Sequence, residues 1–163
     1  MSSQYTPEHI PADAKRVDIC SDTHGTLSAE LVEQLQGADL IIHAGDITSE
    51  IDFDCLEAIA PVKAVLGNND WHYDYGSAVG RVNTFEFEGL NFSVAHYKED
   101  LPVDASDVAI CGHTHVPQMK QVGKCLVLNP GSASYPRSMS GPTMARLWVK
   151  DGYIYTHEVI SLM

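Results

Sequence analysis

Side chains that bind metal ions recur along this chain in short polar segments. Four histidines, two aspartates and one asparagine occur in the segments Asp22-x-His24, Gly45-Asp46, Gly67-Asn68, His96 and Gly112-His113-Thr114-His115. Imidazole together with carboxylate and amide oxygen suits Mn²⁺, Fe²⁺, Ni²⁺ or Zn²⁺, whereas Ca²⁺ prefers oxygen ligands alone. Seven ligands are too many for one such ion and suit two ions that share a bridging carboxylate. Two ions about 3.5–4 Å apart can hold both the attacking and the leaving oxygen of a phosphoryl displacement, so these residues predict phosphate-ester hydrolysis.

Each of these residues follows a segment that is expected to be a strand. The runs that predict the strands are residues 16–20, 40–42, 62–66, 82–95 (a hairpin) and 108–111. In an extended chain the side chains at positions i and i+2 point the same way, which predicts Asp22 beside His24. The same spacing predicts His113 beside His115. Because the carboxyl ends of neighbouring strands converge at one edge of an α/β sheet, the ligands are expected to meet there.

The first half of the chain alternates between strands and helices. Leucines at four-residue spacing over 27–35 predict one face of a helix that ends at Gly37. The sequence Ser49-x-x-Asp52 resembles a capping box and predicts the start of a second helix. Strand, helix, strand, helix and strand within roughly fifty residues are typical of parallel βαβ units.

The second half of the chain shows hairpins instead. Apolar residues alternate through 82–95 around Glu88-Gly89, which is typical of an antiparallel hairpin. Two more hairpin turns are expected, at Gly123-Lys124 and Asp151-Gly152. A parallel half followed by an antiparallel half predicts two sheets packed face to face with helices outside.

Length and composition indicate a single globular domain. At 163 residues with 44% hydrophobic residues, the chain can bury a core and is too apolar for a disordered protein. We expect an irregular lead-in at residues 1–14, followed by one domain over residues 15–163. The opening segment lacks the pattern of a secretory signal, and no apolar run approaches the length of a membrane helix. Since the four cysteines form no Cys-x-x-Cys pair, we expect reduced thiols and a cytoplasmic protein.

Net charge limits the partners of this protein. Ten Lys and Arg residues against 22 Asp and Glu residues leave a net charge of −12. Proteins that bind nucleic-acid backbones use clustered cations, and the longest basic run here is Lys15-Arg16. The sequence therefore predicts a small substrate and excludes a long nucleic acid or an anionic membrane as partner. It leaves a homo-oligomer open.

Taken together and in this order, the metal-binding segments resemble those of the calcineurin-like metallophosphoesterases. Within that family the resemblance is to the small bacterial and archaeal phosphodiesterases of the YfcE type, over residues 16–160. It implies a four-layer α/β/β/α sandwich of two mixed sheets. It also implies an enzyme that hydrolyses small phosphodiesters with two divalent ions, with Mn²⁺ preferred over Ni²⁺, Fe²⁺ or Zn²⁺.

The resemblance also implies a role for each ligand. One ion would be held by Asp22, His24 and His115 and the other by Asn68, His96 and His113, with Asp46 bridging both. The residues expected to act in catalysis are Asp46, Asn68, His96 and His113. A hydroxide held between the ions is expected to attack phosphorus, because the two cations lower its pKa.

Three further residues are candidates for contact with the substrate. Many members of the family have Gly-Asn-His where this chain has Gly67-Asn68-Asn69, so Asn69 takes the place of the histidine. That histidine serves as a general acid, which an amide cannot do. His72, three residues later, is a candidate substitute. Arg137 is either a cation for the substrate or a member of an ordinary ion pair.

His43 either orients the carboxylate of Asp46 or belongs to the edge of the core.

Two other functions stay open at this point. The same site fits a phosphomonoesterase or nucleotide phosphatase, which a comparison of aryl monoesters with diesters would distinguish. A retromer subunit related to the family keeps the sandwich, has lost metal ligands and works as a protein-binding scaffold. The full ligand set of this chain argues against such a scaffold, and the acidic composition argues against a nuclease acting on long DNA or RNA.

Overall fold

The elements of the fold follow the order predicted from the sequence. The computed structural model describes residues 10–137, 139 and 141–163, so most of the predicted lead-in lies outside the described residues. The strands are β1 (Lys15–Cys20), β2 (Leu40–His43), β3 (Val62–Ala64), β4 (Val82–Phe87), β5 (Leu90–Ala95), β6 (Val108–Ile110), β7 (Gln118–Val122), β8 (Cys125–Asn129), β9 (Thr143–Lys150) and β10 (Tyr153–Ser161). The helices are α1 (Ala29–Leu35), α2 (Glu50–Ile59) and two short 3₁₀ helices, Lys98–Asp100 and Val103–Ala105.

Ten strands form two mixed sheets of five strands each in the described part of the chain. The first sheet has the order β10-β9-β1-β2-β3 and the second the order β4-β5-β6-β8-β7. In the first sheet β1, β2 and β3 are parallel, and in the second β5, β6 and β8 are parallel. The predicted sandwich of two mixed sheets is confirmed. The first sheet is mixed because the last hairpin returns to it, where β9 pairs antiparallel with the free edge of β1.

The space between the sheets holds the main hydrophobic core. Val17 and Ile19 of β1 face Phe92 of β5 and Ile110 of β6 in one buried cluster. On the outer face of the first sheet, α1 and α2 pack through leucines such as Leu31. The side-chain oxygens of Ser28 and Ser49 accept hydrogen bonds from the first turns of α1 and α2, so the capping predicted for α2 is confirmed.

The outer face of the second sheet has a thinner cover than the predicted helical layer. The two 3₁₀ helices lie there, and their neighbourhood contributes Leu101 and Val103 to a cluster with Cys111 and Cys125. All four cysteines are free thiols, and burial raises the pKa of Cys20 to about 12 and that of Cys111 to about 11. Cys20, Cys111 and Cys125 are core residues, as expected, whereas Cys55 on α2 is exposed. Within the described residues, no helix is both long enough and apolar enough to cross a membrane.

Candidate metal centre

The loops after β1 and β2 are joined beyond the ends of their strands. Asp22 N–H donates to the carbonyl of Gly45 over 2.9 Å, and His24 N–H donates to the carbonyl of Asp46 over the same distance. The loop after β6 reaches the same edge of the molecule, because Gly112 N–H donates to the carbonyl of His96 over 3.1 Å. The carboxyl ends of strands from both sheets therefore meet at the predicted edge.

Most of the predicted ligands sit on left-handed backbone. The φ angles are 54° at Asp22, 49° at His24, 63° at Asp46, 73° at His113 and 65° at His115. The expectation of an extended chain at the two i, i+2 pairs was therefore wrong. Non-glycine residues in this region cost of order 1–3 kcal/mol each, and such strain collects at functional sites. A turn in the backbone sets the direction of each of these side chains, and the surrounding structure has to stabilise that turn.

Two buried carboxylates lie at the centre of the cluster. Oδ1 of Asp22 is 3.2 Å from Nε2 of His115 and 3.8 Å from Nε2 of His24. Oδ2 of Asp46 is 3.6 Å from Nε2 of His24 and 3.4 Å from Nε2 of His96. Asp46 thus lies between two imidazoles, and Oδ1 of Asp22 is also 3.8 Å from Nε2 of His96.

Backbone carbonyls orient two of the imidazole rings. Nδ1–H of His96 donates to the carbonyl of Ala44 over 2.7 Å, and Nδ1–H of His115 donates to that of Tyr135 over 2.6 Å. A neutral ring that carries its proton on Nδ1 has a free electron pair on Nε2. In His96 this atom lies 3.1 Å from Oδ1 of Asn68. Both Nε2 atoms are therefore placed to bind a metal ion.

The buried polar atoms of the cluster fit divalent ions. Oδ1 of Asp22 and Nε2 of His24 are buried and have no hydrogen-bond partner among the described residues. Leaving such atoms unpaired costs free energy, and a cation between them removes that cost. Two groups have ligand atoms within 4.8 Å of one another, Asp22 with His24 and His115, and Asp22 with Asp46 and His96. Nitrogen and oxygen donors of this kind suit Mn²⁺, Fe²⁺, Ni²⁺ or Zn²⁺.

The proximity of acids and imidazoles shifts their pKa values in opposite directions. Burial alone would raise the pKa of Asp22 and Asp46, but the imidazoles of His24 and His96 outweigh burial, so both pKa values lie below the ordinary value. The carboxylate of Asp22 raises the pKa of His24. For His96, burial lowers the pKa, and the two carboxylates outweigh it and raise the pKa. The cluster therefore favours charged aspartates, the form that binds cations.

His113 and Asn68 lie at the exposed side of the cluster. The ring of His113 is 5.1 Å from that of His96 and 4.7 Å from that of Tyr97, measured between centroids. Its imidazole makes no hydrogen bond to a described residue, while its backbone N–H donates to Oδ2 of Asp22. The structure thus brings the seven predicted ligands near one another, and among the described residues the imidazole of His113 makes ring contacts only.

Asp70 is a residue of the site that the motifs did not single out. Its buried carboxylate accepts hydrogen bonds from the N–H groups of Asp46 and Gly67 at Oδ2, both over 2.7 Å. At Oδ1 it accepts from Thr48 N–H and the Tyr75 hydroxyl, both over 2.9 Å. One side chain therefore ties the loop after β2 to the loop after β3. Its only sequence signal was its place directly after Gly67-Asn68-Asn69.

Asn69, predicted as a substrate residue, binds the carboxylate of Asp46. Its backbone N–H donates to Oδ1 of Asp46 over 2.9 Å, and its side-chain Nδ2–H donates to Oδ2 over 3.1 Å. Ser21 plays a similar part for Asp22, because its hydroxyl donates to Oδ2 over 2.5 Å. These donors fix both carboxylates and leave Oδ1 of Asp22 facing the imidazoles.

Two glycines allow the backbone to approach the carboxylates. A Cβ atom at Gly67 would overlap the side chain of Asp46. At Gly112 it would overlap the hydroxyl of Ser21 and lie 2.8 Å from Oδ2 of Asp22. The glycines in these two motifs therefore have a steric cause.

His43 and His72 do not touch the ligands through their side chains. His43 is buried, its Nδ1 accepts a hydrogen bond from Gly45 N–H, and its Nε2–H donates to the Thr23 hydroxyl. It therefore holds the backbone of the ligand loops and does not orient the carboxylate of Asp46. Burial lowers the pKa of His43 to about 4. His72 is exposed and makes no hydrogen bond, ion pair or ring contact with any described residue.

Arg137 lies beside a pocket that opens next to the metal ligands. The cavity has a volume of about 600 Å³, and the described residues that line it are His24, His115, Ser134, Tyr135, Pro136 and Arg137. Arg137 N–H donates to the carbonyl of His115 over 3.3 Å. Ser132 supports this loop, because its hydroxyl donates to the carbonyl of Asp22 and accepts from Tyr135 N–H. Of the three predicted substrate residues, Arg137 is the one that lines this pocket.

Comparison with known proteins agrees with the geometry. Residues 16–152 match the model of the calcineurin-like phosphoesterase superfamily domain. A probable metallophosphoesterase of Methanothermobacter thermautotrophicus is 32% identical over 160 residues, which cover 88% of this chain and 91% of that protein. Phosphodiesterase YfcE of Escherichia coli is 32% identical over 145 residues, covering 72% and 78%. The structure of vacuolar protein sorting 29 from Cryptosporidium parvum shares the fold, with a TM-score of 0.74 at 17% identity over 90% and 96% of the chains.

Fold, donor set and sequence similarity all indicate a metal-dependent phosphoesterase. The chain belongs to the calcineurin-like phosphoesterase superfamily. It is therefore a hydrolase that acts on phosphoester bonds, a member of a family that uses divalent metal ions, and its Asp and His cluster has the donor atoms to hold such ions.

Proposed function

We propose that this chain hydrolyses small phosphodiesters with two divalent ions, preferably Mn²⁺, in the cytoplasm. The observation that carries the proposal is Asp46, whose Oδ2 lies within 3.6 Å of Nε2 of His24 and 3.4 Å of Nε2 of His96. A carboxylate between two imidazoles is suited to bridge two ions. The ligands of one ion would be Asp22, His24 and His115, and those of the other Asn68, His96 and His113.

The residues of the chain orient the donors, and the ions supply the charge. When bound, two divalent ions provide Lewis acidity and a water molecule of lowered pKa. Against two aspartates they leave a local charge of about +2, so an anionic ester can bind in spite of the net charge of −12. The N–H groups of Asn69 and the hydroxyl of Ser21 hold the two carboxylates in the ionised form.

The sequence similarity favours diesters over monoesters. One relative at 32% identity is named a phosphodiesterase, and the amide of Asn69 replaces the general acid found in many members of the family. A protein-binding scaffold is the second candidate, because the vacuolar protein sorting 29 structure has the same fold. The buried and intact donor set of Asp22, Asp46 and the histidines supports the enzyme instead.

The test combines metal analysis with a substrate comparison. The purified chain is stripped with a chelator, reloaded with Mn²⁺, and assayed with bis(4-nitrophenyl) phosphate and 4-nitrophenyl phosphate. We expect two ions per chain by elemental analysis, loss of turnover on stripping, recovery with Mn²⁺ and faster hydrolysis of the diester. Circular dichroism should change little, because the ligands lie on loops outside the two cores.

Matched variants separate the enzyme from its alternatives. His115→Asn should reduce the metal content and the activity, whereas His157→Asn removes an imidazole from β10 and should change neither. Faster hydrolysis of the monoester would indicate a phosphomonoesterase. Two bound ions without turnover of either ester would support the scaffold, and full turnover by the stripped protein would exclude the two-metal mechanism.

A further inference from the structure

The cavity beside the metal ligands is much larger than a phosphate group needs. Its volume of about 600 Å³ lies within the range of about 300–1,000 Å³ that is typical of pockets for whole small molecules. His24 and His115 form one wall, and Tyr135 and Pro136 contribute apolar surface. The Tyr135 ring is about half exposed and meets the ring of His24 edge to face, with centroids 5.4 Å apart. A flat substituent of an ester held at the metal site can therefore pack on Tyr135.

Arg137 differs from the other arginines of the chain. The chain has four, and Arg16 and Arg146 form ion pairs with the buried Asp18 while Arg81 binds Asp100. The guanidinium of Arg137 has no hydrogen bond or ion pair with any described residue, in a protein with 22 acidic side chains. Its backbone N–H, in contrast, is bonded to the carbonyl of His115. The loop thus presents an unpaired cation beside the metal ligands.

We propose that this pocket selects phosphodiesters whose non-leaving substituent is a flat ring bearing a second anionic group, which Arg137 binds. The inference rests on the proposed phosphodiesterase function and names its substrate class. Arg137 has five N–H donors in a planar arrangement that matches a carboxylate or phosphate. Because the pocket extends beyond the ligand histidines, Arg137 recognises the substituent while the metal site holds the reacting phosphate.

The size of the effect follows from the exposure of Arg137. An exposed ion pair contributes little to binding, and a bidentate ion pair at the edge of a pocket contributes more. We therefore expect kcat/KM to be about fivefold higher for an ester with the second anionic group than for one without it. The net charge of −12 acts against any additional anion. A preference for the more negative substrate therefore requires a local cation, and its loss in Arg137→Gln distinguishes Arg137 from the metal ions.

The test uses two esters that differ in one carboxylate. Mn²⁺-loaded protein is assayed with 4-nitrophenyl phenyl phosphate and with 4-nitrophenyl 4-carboxyphenyl phosphate, which share the same leaving group. We expect the carboxylated ester to be preferred about fivefold by the wild type. The ratio should fall to one or below in Arg137→Gln and be partly kept in Arg137→Lys. Lys15→Gln, the same change of charge at the opposite end of β1 from Asp22, should leave the ratio unchanged.

The outcomes distinguish this inference from the proposed function. Equal slowing of both esters by Arg137→Gln would show that Arg137 contacts the reacting phosphate and would overturn the inference, as would an unchanged ratio. If the wild type hydrolyses neither ester, the proposed function fails. Calorimetric binding of phenyl phosphate and 4-carboxyphenyl phosphate then still measures Arg137, because the tighter binding of the second ligand should be lost in Arg137→Gln. Equal binding of both ligands by the wild type would overturn the inference without reference to turnover.

Discussion

Asp70→Asn should destabilise the fold and impair the metal site together. The carboxylate is fully buried and accepts four hydrogen bonds of 2.7–2.9 Å, from Asp46, Gly67, Thr48 and Tyr75. Asparagine has nearly the same shape, but only one of its two terminal atoms accepts hydrogen bonds. Its amide group should take the place of Oδ1, because the Tyr75 hydroxyl can rotate to accept a hydrogen bond. The N–H group of Thr48 would then be left without an acceptor.

The magnitude follows from these bonds. An unpaired buried N–H costs about 1–3 kcal/mol, and the bonds that remain lose the strength conferred by a charged acceptor. We therefore expect the free energy of unfolding to fall by about 2–4 kcal/mol, a large part of the ordinary stability of about 5–15 kcal/mol. Because Asp70 positions the backbone of Asp46, kcat/KM with Mn²⁺ should also fall, by about 10–100-fold.

Urea unfolding of the stripped protein and kinetics of the loaded protein measure the two effects. Tyr75→Phe is the matched control, because it removes one donor to Asp70 and leaves the backbone N–H donors in place. Tyr75→Phe should lower the free energy of unfolding by about 1 kcal/mol and change turnover little. An Asp70→Asn variant as stable and as active as the wild type would refute the role assigned to this carboxylate.

Three further predictions concern the same loops. Asp46→Asn should weaken metal binding at both sites, whereas His115→Ala should mainly remove the ion from one site. Elemental analysis that finds two tightly bound ions in Asp46→Asn would contradict the bridging role. Because the N–H groups of Asn69 are bound to Asp46, turnover should depend steeply on the pKa of the leaving group, with alkyl esters slower than aryl esters by about 10²–10⁴-fold. A flat dependence across a series of phenyl and alkyl diesters would show another proton donor. The pKa of His43, about 4 in the fold against 6.5 in the unfolded chain, means that the unfolded chain binds the proton first. The free energy of unfolding of the stripped protein should therefore fall as the pH drops from about 6.5 towards about 4, and it should fall less in His43→Gln. Equal losses in the two proteins, measured by urea unfolding, would contradict this prediction.

Local patterns in the sequence were sufficient for most of the elements and for singling out the side chains that the fold brings together. The alternation of apolar residues through 82–95 and the turns at glycine predicted hairpins that the structure contains. The third strand is shorter than residues 62–66, because beyond Ala64 only Val65 makes a single bridge, to Gly80. Periodicity and turn residues report on neighbours along the chain, which is why these predictions succeeded.

Side chains that act at a distance could not be found from local patterns. Asp70 has no role in the predicted ligand set, and its importance comes from hydrogen bonds to the loop after β2, more than twenty residues earlier in the chain. Asn69 looked like a gap in the catalytic set, and the structure shows it holding Asp46. Hydrogen bonds of this kind depend on which loops the sheet brings together.

Residue type and spacing are properties of the chain alone, so they were enough to predict metal ligands at the ends of strands. The orientation of these side chains depends on contacts between segments that are distant in sequence. The left-handed backbone at Asp22 and Asp46 replaced the extended geometry that the spacing suggested. The tertiary structure also placed Arg137 beside His24, more than one hundred residues apart in sequence, on one pocket. The backbone at Asp22 and Asp46 is held by hydrogen bonds between the loops after β1 and β2, and the position of Arg137 by its hydrogen bond to His115. Pairing between distant segments leaves no local pattern in the sequence.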